Sequence, residues 1–241
     1  MTLPYGAASL LVCLDFDGTL AELDPDPYAV SMHPAAEDAL RRLAVLPATR
    51  VAILTGRHLE GLRRVLPAGL AELDGVTLAG SHGAEPGPEL APEDVAYLDG
   101  VERALREIAR DGAYVEVKPY QRVLHVAPVA DPVNARAMLD AARSLATDRP
   151  VTEGKNVVEF SAVEVTKGSW LARAKQGYAV TVFAGDDDTD EHAIAALGPA
   201  DVGIKVGTKP SAATMRLGTV GEMAAWLQRL AAEREAWTAG H

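Results

Sequence analysis

Short, uninterrupted apolar runs recur in the first and last parts of the chain, and segments with apolar residues at helical spacing follow them. Such runs are typical of central parallel strands that are covered on both faces. We predict these strands at Leu10–Leu14, Val51–Leu54, Val76–Ala79, Ala179–Ala184 and Val202–Val206. We predict the alternating helices at Pro34–Leu46, Leu59–Val65, Lys167–Lys175, Asp190–Leu197 and Gly221–Glu235. This alternation predicts an α/β fold with a doubly wound, Rossmann-like parallel sheet.

The middle of the chain has another pattern, in which short alternating segments lie between two helices. We predict the helices at Pro92–Arg110 and Pro132–Leu145. We predict two antiparallel hairpins, which pair Tyr114–Lys118 with Val123–Val126 and Val151–Glu153 with Asn156–Phe160. The sequence therefore predicts a separate α+β unit over 84–163, inserted into an α/β core formed by 1–83 and 164–241.

Composition narrows the possible environments and partners. The net charge of −11 argues against a nucleic-acid partner, because an acidic surface repels polyphosphate. An apolar run of about 18 residues, as a membrane span requires, does not occur, and the first ten residues lack the basic start of a signal peptide. The single cysteine, Cys13, lies in an apolar run and is expected in the core. We expect a soluble, cytoplasmic protein without membrane partners, and the sequence leaves its oligomeric state open.

Two carboxylates, Asp15 and Asp17, follow the first predicted strand directly. Acidic groups at the end of a buried strand are costly unless a cation or a proton compensates them. Oxygen ligands of this kind suit Mg²⁺, and Gly18 permits a sharp turn out of the strand. The alternative is an acidic turn that only ends the strand.

Two further segments begin predicted helices and could bind a phosphate group. Thr55, Gly56 and Arg57 offer a hydroxyl and backbone N–H groups at a strand-to-helix turn. Lys167 stands at a helix N-terminus, where the helix dipole disfavours a cation unless an anion lies nearby. The alternatives are an ordinary helix cap and a solvated lysine.

An acidic cluster, GDDDTDE, occupies 185–191 after an apolar strand. Asp188 and Glu191 have the spacing of a capping box for the next helix. A capping role does not account for Asp186 at the strand end, whereas a bound metal ion does.

Taken in order, these segments resemble the four motifs of the haloacid-dehalogenase-like phosphatases. A closer resemblance is to the trehalose-6-phosphate phosphatases. It is carried by LDFDGTLAELDPDP at the first motif, by GSHGAE at 80–85 and by GDDDTDE in full. It also includes Glu116, Lys118 and His125, and the pair Gly154-Lys155 followed by Val158-Glu159. The resemblance implies that the inserted unit is a cap that closes over the site.

The resemblance also implies a mechanism and a role for each core residue. Asp15 would attack phosphorus to form an aspartyl-phosphate, and Asp17 would act as general acid and then general base. Mg²⁺ would be held by Asp15, Asp186 and the backbone carbonyl of Asp17. Thr55 and Lys167 would hold the phosphoryl oxygens. Asp187 and Asp190 would orient these groups from behind.

Substrate contacts are expected from the core and from the cap. The candidates are Gly56, Arg57, His82, Glu116, Lys118, His125, Lys155 and Glu159. The alternative for the cap residues is a solvated surface, and for His125 a satisfied buried histidine. The cap departs from the family pattern after His125 and after Glu159, which bears on the substrate. Trehalose 6-phosphate is the first expectation, with mannosyl- or glucosylglycerate phosphate or sucrose phosphate as alternatives. A non-catalytic binding or regulatory protein of the same fold, or a domain that interacts with a carrier protein, is a further alternative.

Overall fold

The structure is a computed structural model of the chain and describes residues 4–145, 147–154 and 156–240. The chain divides into two compact units. The first comprises the described residues of Met1–Pro86 and Val165–His241, and the second is Gly87–Glu164.

The bounds of the regular elements are as follows. The strands are β1 (Leu10–Leu14), β2 (Thr49–Leu54), β3 (Val76–Ala79), β4 (Tyr114–Val117), β5 (Gln121–His125), β6 (Val151–Gly154), β7 (Val157–Ser161), β8 (Val180–Gly185), β9 (Val202–Val206) and β10 (Met215–Leu217). The helices are α1 (Pro34–Ala44), α2 (Leu59–Val65), α3 (Pro92–Ile108), α4 (Pro132–Arg143), α5 (Lys167–Ala174), α6 (Thr189–Ala195) and α7 (Val220–Ala239).

The first unit is built on a parallel six-stranded sheet in the order β10-β9-β8-β1-β2-β3. The chain builds outward from β1 in one direction through β2 and β3. It then returns to the other side of β1 with β8. The sheet therefore changes winding direction beside β1, and in doubly wound sheets ligands bind beyond the carboxyl ends of the strands at such a point.

Both faces of this sheet are covered, as the apolar runs predict. In β1, Leu10, Val12 and Leu14 belong to one core cluster, together with apolar residues of α1 and α7. The intervening Leu11 and Cys13 belong to another, together with apolar residues of α5 and α6. Successive side chains of a strand point to opposite faces, so a strand between two helical layers must be apolar throughout.

The second unit is a four-stranded antiparallel sheet in the order β4-β5-β7-β6. Its core joins residues of α3 and α4 to one face of the strands, where Leu124 of β5 and Phe160 of β7 are buried with Leu105 and Met138. The period-two alternation leaves Glu116, Val123 and Glu159 at matching positions of neighbouring strands.

The fold class expected from the sequence is confirmed, with a doubly wound parallel sheet and a separate α+β unit. Two short elements were not predicted from the sequence. One is β10, a three-residue strand that pairs with β9 at the edge of the sheet, and the other is a short 3-10 helix at Ser81–Gly83. Both are too short to produce a recognisable periodicity. None of the described helices is sufficiently long and apolar to cross a membrane.

Candidate active site

Three aspartates meet at the carboxyl ends of β1 and β8. Asp15 directly follows β1, and its backbone N–H donates to the Ala184 carbonyl of β8 at 2.9 Å. Asp186 directly follows β8, and Asp190 lies in the first turn of α6. Carboxylate oxygens of Asp15, Asp186 and Asp190 lie within 4.8 Å of one another. We call this group the aspartate cluster.

The buried ammonium of Lys167 faces the aspartate cluster. Lys167 begins α5, and its Nζ donates to Asp15 Oδ1 and to Asp190 Oδ1, each at 2.7 Å. The Lys167 side chain is only 2% exposed, so it is not a solvated surface lysine. Burial alone would lower the pKa of Lys167, but the charges of Asp15 and Asp190 outweigh burial and raise this pKa. Lys167 is therefore a permanent cation of the site.

The charges of the aspartate cluster are not balanced by Lys167 alone. Burial raises the pKa of Asp15 well above its usual range, and Asp190 adds to the rise although Lys167 opposes it. Burial, followed by the charges of Asp190 and Asp187, raises the pKa of Asp186 to about 6. Each shift reflects crowded carboxylates in a poorly solvated place. The oxygen donors and the surplus of negative charge together fit a hard divalent cation such as Mg²⁺.

Asp17 does not join the aspartate cluster with its side chain. Its two carboxylate oxygens each accept a hydrogen bond from Arg57, with Nε–Oδ2 and Nη2–Oδ1 distances of 2.6 Å. Gly18 follows in the left-handed region, with φ +71°. Arg57, which was expected to contact the substrate, is thus paired with Asp17, the expected acid–base residue. The role of each remains a prediction.

Thr55 and Gly56 lie at the carboxyl end of β2. Thr55 is buried, and its Oγ1 accepts a hydrogen bond from the backbone N–H of Arg57 at 3.2 Å. A hydroxyl donates one hydrogen bond and accepts two, so this bond does not use the hydroxyl proton of Thr55. At Gly56, a β-carbon would lie 2.8 Å from Cε1 of His82, so any larger residue would force this ring to shift.

The loop after β3 brings His82 to the site and carries backbone strain. Ser81 and His82 have φ of 49° and 57°, a conformation that non-glycine residues rarely adopt. Their backbone N–H groups donate to the carbonyls of Arg57 at 2.7 Å and of Thr55 at 2.9 Å. Glu85 accepts a hydrogen bond from the Ser81 hydroxyl. Strain of this kind persists where the surroundings enforce it, and it is frequent at functional sites.

The predicted capping box at Asp188 and Glu191 is wrong. Asp188 has helical angles, with φ −71° and ψ −32°, and makes no capping hydrogen bond among the described residues. Instead, Asp190 Oδ2 accepts a hydrogen bond from the backbone N–H of Asp187 at 2.9 Å, just before the helix. The tight turn after β8 brings the later carboxylate back toward the strand end. Asp190 therefore lies within the aspartate cluster, and its expected role of orienting the site stays a prediction.

Two lysines that were not predicted as site residues contact the acidic loop. Lys205 of β9 is fully buried, and its Nζ donates to the Asp187 carbonyl at 2.9 Å and to Glu191 Oε1 at 3.0 Å. Lys209 pairs with the half-exposed carboxylate of Asp187. A lysine inside the apolar run VGIKV is the signal that could have revealed Lys205.

In the second unit, two of the expected sugar contacts form a buried ion pair. Lys118 Nζ lies 2.8 Å from Glu159 Oε2, and the two side chains are 7% and 9% exposed. These residues are therefore not on a solvated surface. Lys155, the expected contact from the second hairpin, lies outside the described residues.

The other two expected contacts in this unit pair across β4 and β5. His125 Nε2 and Glu116 Oε2 are 2.8 Å apart. The His125 ring also stacks on Tyr114, with a centroid distance of 4.7 Å and an interplanar angle of 8°. Tyr114 was not predicted as a site residue, although the antiparallel register places it directly opposite His125.

Comparison with known proteins identifies the family. The family model described as trehalose-phosphatase matches residues 13–220, a range that spans both units. The chain belongs to the trehalose-phosphatase family. The resemblance found in the sequence motifs is thereby confirmed.

The curated relatives that the chain matches are longer than the chain itself. The chain is 34% identical to an uncharacterized glycosyl hydrolase of Mycobacterium tuberculosis over 92% of this chain and 18% of that protein. It is 32% identical to the trehalose-phosphate phosphatase of Mycobacterium marinum, over 92% of this chain and 61% of that protein. The chain therefore spans less than two thirds of each of these relatives.

A solved structure shares the fold of this trehalose-phosphatase family chain. The C-terminal domain of the C. albicans trehalose-6-phosphate phosphatase superposes with a TM-score of 0.76 and 21% sequence identity. The match covers 95% of this chain and 96% of that one. At this identity, the match shows the fold and does not by itself assign an activity.

Proposed function

We propose that this chain is a Mg²⁺-dependent phosphatase that hydrolyses trehalose 6-phosphate to trehalose and inorganic phosphate through an aspartyl-phosphate on Asp15. The observation that carries the proposal is the buried contact of Lys167 with Asp15, beside Asp186 and Asp190. A buried carboxylate next to a fixed cation is suited to receive a phosphoryl group, whose negative charge the cation offsets.

In the first half-reaction, a carboxylate oxygen of Asp15 forms a bond to phosphorus. The bond between phosphorus and the sugar oxygen breaks, and Asp17 donates a proton to that oxygen. Thr55 and Lys167 hold the phosphoryl oxygens while charge redistributes among them. The products of this half are free trehalose and a phosphorylated Asp15.

In the second half-reaction, a water molecule attacks the same phosphorus atom. Asp17, now a carboxylate, accepts a proton from this water, and the bond between phosphorus and Asp15 breaks. Inorganic phosphate leaves, and both aspartates return to their starting state. One carboxyl group thus serves as acid and then as base, so the protons balance over the cycle.

The donor set fits one divalent ion. Asp15 and Asp186 would hold it with their side chains, together with the backbone carbonyl of Asp17, while Asp190 and Asp187 orient these groups. A bound Mg²⁺ supplies positive charge that offsets the phosphoryl oxygens and the crowded carboxylates. Lys167 and the hydrogen bonds of Asp190 keep Asp15 oriented toward phosphorus.

Trehalose 6-phosphate is the substrate that the family and the M. marinum relative favour. In the second unit, Glu116, Lys118, His125 and Glu159 supply charged and polar groups for sugar hydroxyls, and Lys155 is a further candidate from the sequence. The departures after His125 and Glu159 keep a second candidate open. That candidate is a phosphatase for glucosyl- or mannosylglycerate phosphate or sucrose phosphate.

The test is phosphate release by the full chain over a panel of these four sugar phosphates, with Mg²⁺ and with excess chelator. We expect the highest kcat/KM for trehalose 6-phosphate and loss of activity on chelation. Asp15→Asn should abolish turnover and keep the melting temperature, because the amide has the same shape but is a poor nucleophile. A residual activity within about tenfold of wild type, which is 1.4 kcal/mol of barrier, would remove Asp15 from this role.

A matched control is Asp188→Asn, in the acidic loop but outside the aspartate cluster. It should keep the wild-type rate. A wild-type chain that releases phosphate from none of the panel would contradict the proposed function and favour a non-catalytic protein on this fold.

A further inference from the structure

The guanidinium of Arg57 has every nitrogen engaged within the first unit. Nε and Nη2 donate to the two oxygens of Asp17, each at 2.6 Å. Nη1 donates to the backbone carbonyl of Pro27 at 2.5 Å. The side chain is 12% exposed, and its guanidinium carbon lies 5.7 Å from the ring centroid of Phe16. These bonds use three of the five guanidinium N–H groups and fix the side chain between Asp17 and the Pro27 carbonyl.

The backbone of Arg57 is fixed as firmly as its side chain. Its N–H donates to Thr55 Oγ1 at 3.2 Å, and its carbonyl accepts from the Ser81 N–H at 2.7 Å. The side chain of Arg57 therefore extends from a backbone that hydrogen bonds hold in place. Its planar guanidinium can orient a carboxylate through two parallel N–H groups.

The loop that carries Pro27 presents the Pro27 carbonyl to the guanidinium of Arg57. The backbone N–H of Asp26 donates to Asp24 Oδ1 at 2.8 Å, and that of Tyr28 donates to Asp26 Oδ1 at 2.9 Å. These two successive turns are of the kind that aspartate side chains stabilise. They fix the direction of the Pro27 carbonyl between them.

We propose that Arg57 is a positioning residue for Asp17, whose carboxylate it holds in the orientation needed to accept a proton from water. The inference rests on the proposed function. Two parallel N–H groups facing both oxygens suit a carboxylate, the form of Asp17 required in the second half-reaction.

If Arg57 positions Asp17, its loss should affect formation and hydrolysis of the aspartyl-phosphate differently. If Arg57 bound the phosphate, its loss should affect both steps. An aryl phosphate such as p-nitrophenyl phosphate has a good leaving group and needs no proton from Asp17 for its departure. Hydrolysis of the aspartyl-phosphate still needs Asp17 as a base. Loss of Arg57 should therefore slow the second step of this reaction and spare the first.

The experiment uses Arg57→Gln and Arg57→Lys in the full chain with Mg²⁺ and p-nitrophenyl phosphate. We expect both variants to lower the steady-state kcat by about 10- to 100-fold, a part of what acid–base catalysis contributes. A rapid first turnover of p-nitrophenol should remain, and the inhibition constant of inorganic phosphate should change by less than about threefold. Arg57→Lys should not rescue the rate, because lysine keeps the charge and loses the fork.

A double-mutant cycle with Asp17→Asn decides whether Arg57 acts through Asp17. We expect Arg57→Gln to add less than about threefold to the loss caused by Asp17→Asn, because residues that act as a unit are not additive. Arg64→Gln is the matched control, since Arg64 lies over Tyr28 of the same loop and pairs with Glu60. It should keep the wild-type rate.

Three outcomes would overturn the inference. One is an additive cycle, and another is an inhibition constant for phosphate that rises more than tenfold in both variants. The third is full activity of Arg57→Lys. Each of these presupposes an active wild-type chain. A wild-type chain that is inactive on every phosphate ester would instead contradict the proposed function.

Discussion

Gly18 lies so close to Asp186 that a β-carbon on this glycine would be 2.4 Å from the carboxylate carbon of Asp186. Gly18 also has φ +71°, so two separate reasons favour glycine here. We expect Gly18→Ala to displace Asp186 and to lower kcat by at least about tenfold, since small misplacements of reacting groups are costly. Phosphate release measures this effect.

Gly177→Ala separates the steric effect from the backbone strain. Gly177 has φ +90°, but a β-carbon there would meet none of the described atoms within 4 Å. It should cost about 1 kcal/mol of unfolding free energy and leave kcat unchanged. Equal losses of activity in the two variants would mean that Gly18 matters only for its dihedral angles.

Lys167 compensates two buried carboxylates, so its removal should destabilise the metal-free protein. We expect Lys167→Met to lower the unfolding free energy by about 3 kcal/mol in chelator, because it leaves buried charges unpaired. Lys175→Met is the control, since the more exposed Lys175 pairs with Asp201 at 2.7 Å and should cost about 1 kcal/mol or less. Urea denaturation measures both. Similar losses would contradict the role of Lys167 as counterion of the aspartate cluster.

The raised pKa of Asp186 predicts how the stability of the metal-free protein depends on pH. The pKa of Asp186 in the folded protein is about 6, above its usual value of 3.8. Between pH 3.8 and pH 6, the folded state therefore binds a proton at Asp186 more tightly than the unfolded state does. The unfolding free energy should therefore be higher at pH 5 than at pH 8, by about 1 kcal/mol after allowance for partial solvent screening. Asp15, with its raised pKa, acts in the same direction.

Two controls accompany the pH experiment. Asp186→Asn should reduce the difference between pH 5 and pH 8, because the amide does not titrate. Saturating Mg²⁺ should reverse the sign of the difference, since a cation binds the ionised carboxylates more tightly at the higher pH. An unfolding free energy that stays lower at pH 8 with Mg²⁺ would argue against a cation on the aspartate cluster.

Glu116 tests whether the second unit recognises the sugar. If its carboxylate binds a hydroxyl, Glu116→Ala should cost about 1.5–3 kcal/mol in kcat/KM for the sugar phosphate. The loss should be at least tenfold smaller for p-nitrophenyl phosphate, which has no sugar hydroxyls.

The control for Glu116 is Glu107→Ala, an exposed glutamate on α3. It should leave both reactions unchanged. Equal damage by Glu116→Ala to both substrates would show that Glu116 supports the structure of this unit through His125, 2.8 Å away. In that case Glu116 would not bind the sugar hydroxyls directly.

The sequence alone was sufficient for the fold class and for the order of the candidate motifs. A strand buried on both faces must be apolar throughout, so β1, β2 and β8 were visible as runs. Parallel strands bring their carboxyl ends to one edge, so the residues after β1, β2 and β8 could be expected to meet. Asp15, Thr55 and Asp186 follow from this local information.

Only the tertiary structure decided which groups pair within the site. Asp190 enters the aspartate cluster because the turn after β8 folds its carboxylate back, a path that spacing does not fix. Arg57 meets Asp17 across 40 residues, and Lys167 meets Asp15 across 152, since each pair is joined by packing of separate elements. Periodicity reports which face of an element is buried, whereas hydrogen-bond partners depend on side-chain directions set by the assembled fold.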